Sequence, residues 1–95
     1  MANGYDWDSR KNAANIARHY IDFGDAAAVF ESPYFEYRSD RNFEERYVAV
    51  GLMNDLVIAV VYTPRDGKRR IISARRAREN EAKQYYKKVA EANQD

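Results

Sequence analysis

Residues 45–63, ERYVAVGLMNDLVIAVVYT, decide how this chain folds. The first part, ERYVAVGL (45–52), alternates, whereas LVIAVVYT (56–63) is apolar throughout. Alternation marks a strand with one face on a core, and an unbroken apolar run marks a central strand covered on both faces. Met53-Asn54-Asp55 leaves room only for a turn, so the two runs are antiparallel neighbours.

Upstream of this hairpin YFEYR (34–38) alternates, and downstream Pro64-Arg65-Asp66-Gly67-Lys68 makes a second turn before RRIISA (69–74). Asp8 or Ser9 offers a side-chain oxygen to free amides and caps a helix running to about Tyr20. At 100° per residue, Ala13, Ile16, Ala17 and Tyr20 share one side of that helix, and Lys11, Asn15, Arg18 and His19 the other. FGDAAAVF (23–30) is a second, short helix, ended by ESP (31–33) because a residue before proline is pushed out of the α region. From about Arg76 an amphipathic helix sets Ala82, Tyr85, Tyr86 and Val89 on one stripe. The expected architecture is α+β: a compact antiparallel sheet of about four strands, flanked by two N-terminal helices and a C-terminal helix. No linker, repeat or low-complexity tract interrupts residues 1–95, so one domain is expected.

An apolar fraction of 45%, with eight Tyr, four Phe and one Trp, suffices for a modest core. With no cysteine, neither a disulfide framework nor a thiolate zinc site can form, and no cofactor is expected. The N-terminal MANGYDWDSRKN has no apolar signal region, and the run from Leu56 to Tyr62 is too short to cross a bilayer. A soluble, cytoplasmic protein without membrane association is expected.

Net charge is only +1, but it is unevenly spread. Residues 65–78 hold seven basic groups against Asp66, a local +6, while residues 1–64 carry six basic and ten acidic groups. Six of the seven are arginine, whose planar fork suits phosphate or a partner's carboxylate better than lysine does. Strict alternation would place Arg70, Ile72 and Ala74 on one face of the last strand and Ile71, Ser73 and Arg75 on the other. A charged edge that blocks sheet-to-sheet aggregation is the competing reading.

The single histidine, His19, is the obvious proton carrier, although a lone histidine at a helix end is more often simply solvated. Exposed Tyr34, Tyr37, Phe43 or Tyr47, interleaved with Arg38, Arg41 and Arg46, suit stacking of RNA bases, but such rings usually fill a small core. Phosphate-binding glycine loops and nucleophile-elbow motifs are absent.

Read in order, YDWDSRKNAANIARH (5–19), FGDAAAVF (23–30), ERYVAVG (45–51), VVYTPRDG (60–67) and RRIISARRARENEAKQYY (69–86) resemble the BrnT family of bacterial toxins over nearly the whole chain. The most specific parts are Trp7-Asp8 with Lys11, Asn15 and His19, and IISAR (71–75) with Ala77, Glu81 and Tyr85. The resemblance implies a RelE-like ribonuclease fold and a BrnA antitoxin partner whose ribbon-helix-helix part binds the operon's DNA. One departure stands out: the family commonly has Lys-His-Gly where this chain has Arg18-His19-Tyr20. Glycine at a helix end often takes a positive φ that tyrosine adopts only at a cost, so the helix exit and the placement of His19 are where this chain departs.

On that resemblance the expected activity is metal-independent cleavage of RNA, by attack of a ribose 2′-OH on its own phosphate. His19 is expected to act as general acid or base beside the cation of Lys11, with Arg46 and Arg75 holding the scissile phosphate. Arg65, Lys68, Arg69 and Arg70 would track the RNA backbone. The alternative is a catalytically inactive basic module covered by an acidic antitoxin. A DNA-binding regulator acting unaided fits poorly, because no helix-turn-helix or recognition helix is present; DNA is expected only indirectly, through the antitoxin.

Overall fold

Asn54 and Asp55 close the central hairpin in two residues, and Asn54 takes the left-handed conformation, φ 58°, that such a turn demands. In a computed structural model describing residues 4–92, the chain runs β1 (Tyr5–Trp7), α1 (Ser9–His19), α2 (Phe23–Ala26), a 3-10 turn (Ala27–Glu31), β2 (Phe35–Arg38), β3 (Tyr47–Met53), β4 (Leu56–Arg65), β5 (Lys68–Arg76) and α3 (Glu79–Ala92). The first three residues of the N-terminal stretch and the last three of the expected domain lie outside the described residues. One sheet has the order β1-β5-β4-β3-β2, with β1 parallel to β5 and the other pairs antiparallel. The α+β class and the consecutive antiparallel strands are as expected; the fifth strand was not. Three residues are too few to show a period, and β1 is recruited by the open edge of β5, pairing Tyr5 with Arg69 and Trp7 with Ile71.

α1, α2 and the 3-10 turn cover one face of the sheet, over Phe23, Val29, Ile58, Val60, Ile71 and Ala74. The 3-10 turn lies so close to β3 that a Cβ on Gly51 would come within 3.0 Å of Val29 and 3.2 Å of Tyr34. A side chain there would press on both, and glycine leaves that space to them. α3 covers part of the opposite face, where Tyr85 and Val89 pack on Val48, Val50 and Ala59. Glu81 and Tyr85 are its buried residues, whereas Tyr86, expected on the inward stripe, is 58% exposed. No helix among the described residues is long and apolar enough to cross a membrane.

α1 is turned opposite to its apolar stripe. Ala13, Ile16, Ala17 and Tyr20 face solvent, and the inward residue is Asn15, 7% exposed. Pairing explains this better than hydrophobicity does. β1 stops opposite Ile71, leaving Ala74 of β5 with an unpaired amide and carbonyl, and the Asn15 carboxamide supplies both partners: Ala74 N donates to its Oδ1 at 3.1 Å, and its Nδ2 donates to Ala74 O at 2.9 Å. The same Nδ2 also reaches Ile21 O at 2.9 Å, and Asn12 Oδ1 accepts from Phe23 N. A buried side-chain amide thus replaces one residue of a missing strand.

Asp8, with its side chain accepting from the amides of Arg10 and Lys11, caps the start of α1. At its end Tyr20 has φ 62° and ψ 29°, and its amide donates to Ile16 O at 2.9 Å. The helix exit therefore keeps the glycine-type conformation, and the tyrosine bears the strain with a side chain 87% exposed.

Two stability changes follow. Tyr20→Gly is expected to raise the free energy of unfolding by about 1 kcal/mol in urea denaturation, since it relieves left-handed strain and removes almost no packing. Asn15→Ala is expected to lower it by about 3 kcal/mol, because three buried backbone groups lose their partner.

Candidate functional site

One residue on β5 decides which side chains meet. Val61 pairs with Ser73 but Tyr62 pairs with Ile71, so Ile72 is an extra residue, a β-bulge. Strict alternation fails across it: Ile71 and Ala74 both join the helix-covered core, while Ile72, Ser73 and Arg75 line the opposite side. The expected grouping of Ile72 with Ala74, and of Ile71 with Arg75, is corrected by this insertion.

Two concavities share the bulge. The larger, about 520 Å³, lies on the part of the sheet face that α3 leaves uncovered; Arg41, Arg46, Arg75 and Arg78 line it, against Asp40. The smaller, about 220 Å³, lies between α1 and β5 and is lined by Lys11, Asn15, Arg18 and His19. Ile72 and Ser73 belong to both. His19 and Lys11 thus come to the same region as Arg46 and Arg75. Asn15 is the reason, since its bonds to Ala74 hold α1 beside the bulge.

Arg65, Lys68, Arg69 and Arg70 line neither concavity. Arg65 and Lys68 are exposed at the β4–β5 turn. Arg70 pairs with Asp6 at 2.6 Å. Arg69 lies on the helix-covered face, its guanidinium 4.2 Å from the centre of the Phe30 ring and bonded to Tyr34 Oη at 3.1 Å. Alternation carries it there, two residues before Ile71.

Glu81, marked by the family resemblance alone, governs the larger concavity through Arg75. It is 3% exposed and sits in the first turn of α3. Both its oxygens receive the Arg75 fork, at 2.8 and 2.9 Å, and Oε1 also accepts from the Arg78 amide at 2.7 Å. Tyr37 Oη donates to its Oε2. Burial disfavours the charge, but the hydrogen bonds from Arg75, the Arg78 amide and Tyr37 outweigh it and hold the carboxyl at about 2. Burial and the adjacent carboxylate raise the Tyr37 hydroxyl above its ordinary value. A glutamate three residues after a polar side chain is the signal that could have found this clamp, because it is half of a capping box.

The aromatic candidates separate cleanly. Tyr34 meets Phe30 edge-on at 5.2 Å, Tyr47 stacks on Tyr62 at 5.5 Å and Tyr37 is bonded to Glu81. Phe43 is fully exposed.

The pH dependence of stability follows from Glu81. Its folded value, about 2, lies below the ordinary 4.5, so the ionised clamp stabilises the fold above the ordinary value, and that contribution is lost as pH falls through the folded one. Acid titration of unfolding free energy is expected to show a decline on the order of 3 kcal/mol below about pH 5, and the decline is expected to flatten in Glu81→Gln.

A comparison with curated proteins finds no match. Residues 7–81 match the family described as the ribonuclease toxin BrnT of type II toxin-antitoxin systems. Among solved structures the chain is similar to the 1.1 Å crystal structure of the Brucella abortus ribonuclease toxin BrnT, with 30% identity and a TM-score of 0.62 over 81% of this chain and 100% of that one. The matched span ends at Glu81 and contains the lining of both concavities. This chain belongs to the BrnT family of ribonuclease toxins.

Proposed function

We propose that this chain is the toxin of a type II toxin-antitoxin pair, an endoribonuclease that cuts RNA without a metal ion and is neutralised by a BrnA-like antitoxin. The observation that carries the reading is the meeting of two cationic concavities at the β5 bulge, with the only histidine in one and four arginines in the other. Transesterification needs three things: removal of the 2′-OH proton, a proton for the leaving 5′-oxygen, and positive charge around the phosphorane.

His19 supplies one of the two proton transfers as general acid or base, beside the ammonium of Lys11. Arg46 and Arg75 hold the phosphate. Arg75 turns both ends of its fork on Glu81, which fixes the guanidinium and leaves its Nε–H and one Nη2 hydrogen for a phosphate oxygen. Arg46 is braced by a single bond, its Nε held by Glu44 at 2.7 Å. Preorganised cations of this kind stabilise developing negative charge without having to reorganise during the reaction. Backbone tracking falls to Arg65 and Lys68, since Arg69 and Arg70 are already engaged by Tyr34 and Asp6.

An antitoxin that silences the enzyme would cover this cationic region, which favours acidic or carboxylate-bearing partner segments. Any contact with DNA would then come through the antitoxin.

Cleavage of single-stranded RNA by the purified chain, with a chelator present, is the direct test. The wild type is expected to cut, and His19→Ala is expected to lose about 10²-fold or more in rate with its fold intact by circular dichroism. Intact RNA with the wild type, or equal cleavage by both proteins, would overturn the reading.

A further inference from the structure

Between β2 and β3 the chain makes a small hairpin of its own. Arg41 and Glu44 exchange both backbone hydrogen bonds, Arg41 N to Glu44 O at 3.0 Å and Glu44 N to Arg41 O at 2.8 Å, leaving Asn42 and Phe43 as the two turn residues. Both are left-handed, φ 52° and 65°. Such a turn ordinarily takes Asn-Gly, because a bulky side chain is strained at positive φ. Here a phenylalanine occupies the glycine position with its side chain entirely in solvent. Neither packing nor turn geometry accounts for it.

Hydrogen bonds also tie the flanks of the turn together beside the larger concavity. Asp40 accepts from Arg38 Nε at 2.8 Å and from the Arg46 amide at 3.2 Å, and Glu44 accepts from Arg46 Nε. Asp40, Arg41 and Arg46, which flank Phe43 in sequence, all line the arginine concavity. An aromatic face on a braced support beside a ring of guanidinium groups is the arrangement that grips single-stranded nucleic acid: cations hold the backbone and a ring holds a base.

We propose that Phe43 is a substrate-positioning residue, stacking one unpaired base of single-stranded RNA next to the phosphate held by the arginine concavity. The assignment rests on the ribonuclease reading. Stacking needs an unpaired base, so the substrate class narrows to single-stranded RNA, with little discrimination among the four bases, since each offers a π face.

Phe43→Gly removes the ring while suiting the turn, so the variant folds at least as well as the wild type. Its expected phenotype is a roughly tenfold rise in KM for a single-stranded RNA, with kcat changed little, and restoration by Phe43→Trp. A non-cleavable 2′-deoxy-substituted oligonucleotide, with and without an abasic position, isolates the contact. One abasic substitution is expected to weaken binding to the wild type by roughly tenfold and to Phe43→Gly hardly at all. Equal loss in both proteins, an unchanged KM in Phe43→Gly, or a defect confined to binding of a protein partner overturns the stacking role while leaving the nuclease reading intact. A wild type that neither binds nor cuts RNA removes both.

Discussion

The carboxamide of Asn15 is the junction on which the site depends. Sheet edges demand partners for their amides and carbonyls, and β5 runs past the end of the short parallel strand that covers it. Asn15 satisfies Ala74 in both directions and Ile21 as well, so one side chain joins a helix, a loop and a strand. With that contact made, Lys11, Arg18 and His19 are brought beside Ile72 and Ser73. The amphipathic pattern of α1 yields to this demand, because a buried unpaired backbone group costs more than leaving Ile16 partly exposed.

A second constraint comes from charge. Seven basic groups crowd residues 65–78, and while Arg65, Lys68 and Arg76 are exposed, the other four are each managed differently. Arg69 is sheltered on an aromatic ring, Arg70 meets Asp6, Arg75 is gripped by a buried carboxylate, and Arg78 lines the larger concavity. Neutralising Arg75 with Glu81 lets a guanidinium sit mostly buried, its side chain 17% exposed. Its orientation is thereby set before any ligand arrives.

Much of this was legible from residue patterns. The apolar run at 56–63, flanked by two turn-length connections, was enough for the antiparallel sheet, and Asp8 for the first helix. Tyr20 stood out as a strained helix exit through the family resemblance, which has glycine at that place. β1 was not legible, since three residues carry no periodicity and its pairing depends on a strand more than sixty residues away. The inward face of α1 was not legible for a related reason: patterns rank side chains by polarity, whereas Asn15 is buried by a hydrogen-bonding need that arises only once β5 is in place. His19, Lys11, Arg46 and Arg75 were singled out with the help of the family resemblance, whereas the clamp on Arg75 needed the fold to bring Glu81 to it.

The bulge at Ile72 makes residue count along β5 a carrier of meaning. In a regular strand the arginine four places after Ile71 would stand on the same side as that isoleucine, deep among apolar neighbours. The single unpaired insertion reverses the parity of everything downstream, so Arg75 emerges on the cationic side and Ala74 occupies the place in the core that it would otherwise have taken. Length polymorphism of even one codon in this short segment therefore acts as a phase error, exchanging the interior and exterior identities of the residues that follow.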